Sequence, residues 1–337
     1  MCLRSLLRMI PILAVSAGIA VPAFAHDPSG KGGPSPEIAR RLAEGREAML
    51  KLDNTDTAKG IYALSLQWPP SYAKLRVCFM GGTDAVNARV AEIASLWTAD
   101  ANTSLKLDFG KRSKPRRCDP AAQRESQIRV SYDQPGYWSV LGQVSVVFLT
   151  QQEASLNLEG FGNANLAAFD DPEVRGIVLH EFGHALGLLH EHQSPASSCA
   201  QEFNWPHIVS YLSAPPNNWD EDTIKRNMAP ESAEDLMMTD FDAKSVMLYS
   251  FPAEFYVNGG NSSCYISHSN TNISAMDRAT VEYMYTADMA QRQKNFQQAK
   301  AQFSAIVDKA ASAGTKSVNF DFVGAFFGAK GVAADEE

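Results

Sequence analysis

The chain has 337 residues, 45% of them hydrophobic and 20% charged, enough apolar material for one large or two small domains. Acidic residues outnumber basic ones by 38 to 30. That balance argues against a nucleic-acid ligand and leaves the substrate unspecified.

The N-terminus reads as an export signal. Arg4 and Arg8 precede a mostly apolar run over residues 9–21, and Ala23-Phe24-Ala25 offers a cleavage site of small residues. The run is too short, and too interrupted by Pro11 and Pro22, to span a membrane. Residues 1–25 are therefore expected to be a signal peptide. The mature chain is expected to be secreted (extracellular, or periplasmic in a Gram-negative bacterium) with no stable membrane insertion. It keeps 28 basic and 38 acidic residues and four cysteines: Cys78, Cys118, Cys199 and Cys264. An even count in an exported chain predicts two disulfides. Three pairings are open, and Cys78–Cys118 with Cys199–Cys264, one on either side of the histidine motif below, is preferred. No C-x-x-C spacing points to cysteine ligation of a metal.

Residues 26–60 are rich in Gly, Pro, Lys and Glu and read as a leader or possible pro-segment, with a helical stretch near 37–52. The main domain is expected over 61–286. Residues 74–80 alternate as a strand. Thr83 caps a helix to about Trp97 whose apolar face is Val86, Val90, Ile93 and Leu96. Residues 105–109, 127–132 and 145–149 read as further strands, and the basic stretch 111–117 as a solvated loop. The order is that of an α+β fold, a twisted sheet over a helix followed by a second long helix.

That second helix carries the strongest motif. Asp171 and Pro172 read as N-cap and first helical residue, with Glu173 favourable in the first turn. His180 and His184 then stand one turn apart on one helical face, so both rings can meet one ion at about 2.0–2.1 Å. Glu181 lies beside them as a candidate general base. Gly187 can adopt positive φ and end the helix, letting the chain turn so that His190 arrives as third ligand. Three protein ligands leave one position open, the mark of a single catalytic Zn²⁺.

The stretch His180-Glu181-Phe182-Gly183-His184-Ala185-Leu186-Gly187-Leu188-Leu189-His190-Glu191 resembles the signature of the metzincin zinc peptidases, and Glu191 directly after the third His resembles the astacin branch. Ser245-Val246-Met247-Leu248-Tyr249 is similar to their methionine turn, residues 273–285 to the closing helix of astacin domains, and residues 128–142 to a segment of bacterial astacin-like chains. Leu188, Leu248 and two missing cysteines ahead of the zinc helix depart from the pattern. The resemblance implies a secreted zinc metalloendopeptidase with a metzincin-like catalytic domain. That domain has a twisted N-terminal sheet, a zinc-binding active-site helix, and a mainly irregular or helical C-terminal subdomain with the Met-turn. It implies Met247 as a packed floor, Tyr249 as stabiliser of the tetrahedral intermediate, and Glu191 as anchor of the mature N-terminus. It also places the sheet's edge strand, which pairs with an extended protein or peptide substrate, within residues 155–169.

Short helices are expected near 205–206 and 220–226, and residues 291–311 carry Phe296, Phe303, Ile306 and Val307 at helical spacing. Residues 287–337 read as a C-terminal helical extension and tail. His192, His207 and His268 read as surface or hydrogen-bonded residues. Two other readings stand beside the peptidase. One is a secreted zinc- or peptide-binding module without turnover, which has no need of Glu181. The other is a serralysin- or matrixin-like enzyme, which the residue after the third His and the lack of a calcium-binding repeat array disfavour.

Overall fold

The computed structural model describes residues 35, 37–41, 66–119, 121, 125–194, 196–215, 217–230, 240–298 and 301. The expected signal peptide, most of the leader and the tail beyond 301 lie outside these residues. In chain order the strands are β1 (Lys74–Phe79), β2 (Lys106–Asp108), β3 (Gly110–Lys111), β4 (Lys114–Pro115), β5 (Ile128–Ser131), β6 (Tyr137–Ser139) and β7 (Leu156–Leu158). The α-helices are α1 (Asp84–Ser95), α2 (Val144–Val147), α3 (Pro172–Ala185), α4 (Cys199–Glu202), α5 (Trp205–Ser213), α6 (Glu221–Met228) and α7 (Ala275–Met284).

Five strands form one sheet in the order β2-β1-β5-β7-β6. All neighbours are parallel except β6, which runs antiparallel to β7. Alternation decides what each face carries. Leu75, Val77 and Phe79, Ile128 and Val130, and Leu156 and Leu158 share one buried face and pack with α1 and α3. Each such side chain contributes about 1.5–3 kcal/mol on burial. Thr83 caps α1 as expected, its hydroxyl accepting from the Val86 amide at 3.2 Å. The Trp97 indole beyond α1 donates to the Leu179 carbonyl at 2.9 Å, tying that end to α3.

The opposite face holds a buried cation. Arg129 of β5 is fully buried and donates to the carbonyls of Glu153, Ser126 and Ser145 at 2.6, 2.8 and 2.6 Å. Burial lowers its pKa to about 10, so it stays charged at neutral pH. These bonds explain why residues 144–147 are helical where a strand over 145–149 is expected. The Ser145 carbonyl is taken by Arg129 and the Ser145 hydroxyl donates to Gln127 at 2.6 Å. A short apolar run has no period of its own to resist that fixing.

Two other expectations are corrected. The edge of the sheet next to β7 is β6, because β7 is flanked on both sides; residues 155–169 therefore supply an inner strand, not the edge. Residues 111–117 are not a plain loop. Their first part closes the β3–β4 hairpin, Arg116 pairs with Asp108 and Arg117 with Asp84, both at 2.8 Å.

Both preferred disulfides form, Cys78–Cys118 and Cys199–Cys264. The first joins β1 to the chain just past β4. The second sits in a separate apolar cluster with Phe203, Ile208, Leu212, Ile224, Met228, Tyr249, Phe251, Phe255 and Tyr256. This lower part is helical and irregular, as expected. The leader is seen at residues 37–41, one helical turn in which Ile38 is buried and Arg41 donates to the Phe148 carbonyl and pairs with Glu153. Residues 289–298 are helical and dock through Arg292, which reaches the Trp68 and Pro69 carbonyls at 3.0 Å and the Ser104 hydroxyl at 2.9 Å. Phe303, Ile306 and Val307 lie outside the described residues. No described helix is long and apolar enough to cross a membrane.

Candidate metal centre

Helix α3 starts where its sequence says it should. The Asp171 carboxylate accepts from the Glu173 amide at 2.9 Å, with Pro172 in the first turn. The helix ends just as locally. Gly187 has φ +94°, its amide bonds the His184 carbonyl at 2.8 Å, and the Leu188 amide bonds the Gly183 carbonyl at 3.0 Å. This crossed pair is a Schellman cap, which needs a left-handed residue at that position. The turn sends the chain back so that His190 meets the helix again.

Carbonyls at this end are also bonded from outside, that of His184 for a second time. The Trp68 indole donates to Ala185 at 2.9 Å, the Tyr285 hydroxyl to Leu186 at 2.5 Å, and the Gly142 amide to His184 at 3.0 Å. Gly142 has φ +48°, and a Cβ there would stand 1.7 Å from the Leu66 carbonyl oxygen. Gly142→Ala is therefore expected to destabilise the protein by about 3 kcal/mol through overpacking and left-handed strain. A urea unfolding midpoint that implied less than about 1 kcal/mol would show that the loop yields cheaply.

His180, His184 and His190 form a group with the make-up to hold a metal ion, one nitrogen from each lying within 4.8 Å of the others. Their Nδ1 atoms face outward to fixed partners. Nδ1 of His180 meets the Val246 carbonyl at 2.8 Å, that of His184 the Leu188 carbonyl at 2.8 Å, and that of His190 the Gln193 side-chain oxygen at 3.0 Å. A carbonyl oxygen can only accept, so Nδ1 carries the proton in the first two rings and each neutral Nε2 keeps a lone pair. Yet the Nε2 atoms of His184 and His190 are 3.0 Å apart. Lone pairs converging this closely suit a shared cation, and the outward bonds are those that orient metal-binding imidazoles.

Glu181 is fully buried, and neither carboxylate oxygen accepts a hydrogen bond from the described residues. Burial pushes its pKa well above the usual carboxylate range. A cation beside it would favour the charged form and reverse that shift. Donor set and buried carboxylate therefore both fit a metal here.

The turn below is held by Asp277 of α7. Its carboxylate accepts from the Ser245 hydroxyl at 2.6 Å and the Val246 amide at 2.9 Å, while capping α7 through Ser274. That bond places the Val246 carbonyl against His180. The Met247 sulfur fills the room left by Gly183, only 2.4 Å from where a Cβ would stand. Tyr249 brings its ring within 5.1 Å of His180 and 4.3 Å of His190. Burial, and then the Glu181 charge, raise its pKa well above normal, so its hydroxyl keeps its proton.

Glu191 accepts from the Asp242 amide at 2.9 Å. Burial and the nearby Asp277 and Asp242 carboxylates push its pKa up to about 7. His192 is not one of the ligand group but stacks its ring on that of His190, centroids 5.3 Å apart; it is fully buried, with Nε2 donating to the Asn227 carbonyl at 2.9 Å. His207 and His268 are exposed. The structure thus brings together His180, His184, His190 and Tyr249, with Met247 beneath. The sequence reading missed Gln193, Asp277, Trp68 and Tyr285. For Gln193 the available signal was its spacing, three residues after the third histidine.

No family model matches the chain, and no curated protein sequence matches it. Among solved structures, one described as "Structure of myroilysin" is 26% identical, with a TM-score of 0.53, and the match covers 66% of this chain and 96% of that one. A second, "Crystal structure of myroilysin", is 25% identical with a TM-score of 0.44, covering 65% of this chain and 86% of that one.

Proposed function

We propose that this chain is a secreted, zinc-dependent metalloendopeptidase of astacin-like type. The observation that carries the reading is the set of three outward-anchored imidazoles beside the buried carboxylate of Glu181. The likeness to myroilysin, a metalloprotease, supports the peptidase class. Zinc, when bound by His180, His184 and His190, supplies Lewis acidity toward the scissile carbonyl and makes water more acidic.

The chain's own groups do the rest. Glu181 takes a proton from the attacking water at a carboxylate oxygen and returns it to the leaving amine nitrogen. The Tyr249 hydroxyl donates to the carbonyl oxygen as negative charge gathers there. The substrate lies extended and adds to the sheet at β6, which packs against α3. A module that only bound zinc would gain nothing from a bare carboxylate in this place.

The test is hydrolysis of denatured casein by purified protein. Activity should vanish with a zinc chelator, return on adding zinc, and track one bound zinc per chain. Turnover that survives complete metal removal overturns the assignment.

A further inference from the structure

His180 and His184 are fully enclosed and rest on backbone carbonyls, whereas His190 is only half-buried and rests on a side chain. That side chain is Gln193, itself 6% exposed. Its amide spans two partners, with Nε2 donating to the Ala229 carbonyl at 3.0 Å and Oε1 meeting His190 Nδ1 at 3.0 Å. The chemistry of these partners leaves one arrangement. Ala229 offers a carbonyl, which can only accept, so the amide nitrogen must face it. The amide oxygen then faces His190, and since that oxygen also only accepts, Nδ1 must carry the proton. The lone pair of His190 is thereby left on Nε2, the atom 3.0 Å from Nε2 of His184.

We propose that Gln193 is the positioning residue of the third imidazole, carrying the fixed polarity of the Ala229 carbonyl at the end of α6 into the tautomer and orientation of His190. Its amide sets metal affinity through His190 and touches no substrate. The inference rests on the metal reading above. It adds that the lower part of the protein governs one ligand through one replaceable side chain. His192, which donates to Asn227 two residues before Ala229, ties the same two segments and meets the His190 ring by stacking.

Zinc affinity, read by competition with a chromophoric chelator, tests this on the full mature chain. Gln193→Leu should weaken zinc binding about 10- to 100-fold, the usual effect of losing a ligand's outer partner. Gln193→Glu should stay within about threefold of wild type, because a carboxylate still accepts from Nδ1–H. The absorption spectrum of the cobalt-substituted protein should change in the leucine variant and persist in the glutamate variant. If the leucine variant fails to fold by circular dichroism, Gln193→Asn, too short to reach both partners, carries the same expectation. Unchanged affinity in the leucine or asparagine variant overturns the proposal. So does equal weakening in the glutamate variant, which would mean that only the link to Ala229 matters. A wild-type chain that binds no zinc overturns the metal reading itself.

Discussion

Glu181→Gln should lower peptide hydrolysis by roughly a thousandfold while leaving the bound zinc in place. The two side chains share a shape, so the packing of α3 should survive the change. The carboxylate is fully buried and accepts no hydrogen bond from the described residues. Its replacement therefore breaks no described contact, and a buried charge gives way to a neutral amide. The three imidazoles keep their outward bonds, and zinc content should remain one per chain. What disappears is the group able to accept a proton at that position, since an amide is not a base near neutral pH. Initial rates on an extended peptide, with metal analysis of the same sample, decide the matter. Undiminished turnover with zinc bound would remove Glu181 from the mechanism.

Arg292→Met should cost about 4 kcal/mol of stability. The residue is 3% exposed, and its guanidinium reaches the Trp68 and Pro69 carbonyls and the Ser104 hydroxyl while lying 5.1 Å from the centre of the Tyr285 ring. Methionine matches much of the volume and supplies none of the donors. Two buried carbonyls would lose a charged donor, at about 1–3 kcal/mol each. The effect should reach α3, because Trp68 and Tyr285 bond the Ala185 and Leu186 carbonyls at its end. Truncation after residue 286 should reproduce the loss. Urea unfolding of the mature chain reads both. If either variant unfolds at the wild-type midpoint, residues past 286 are an appendage and not part of the catalytic body.

Local signals proved the most legible. The Asp171 cap, the one-turn spacing of His180 and His184, and the Gly187 break are each decided within a few residues, by hydrogen bonds that close inside α3 or its cap. Of the three disulfide pairings that the four cysteines left open, the preferred one formed. The strand expected over 145–149 failed because the Arg129 guanidinium, from a different strand, takes the Ser145 carbonyl. The edge strand was misplaced because strand order is a property of pairing between distant segments, and β6 precedes β7 in the chain yet lies outside it.

By itself, then, the sequence determined the residue types able to hold a metal and a proton, and the helix and turn that carry them, because those depend on short-range geometry. Tertiary structure decided which nitrogen of His180 and of His190 faces inward, whereas for His184 the Leu188 carbonyl lies in the local turn at Gly187. For His180 the choice belongs to the Val246 carbonyl, a backbone atom distant in sequence, and for His190 to the Gln193 amide, which takes its orientation from Ala229, brought near only by folding.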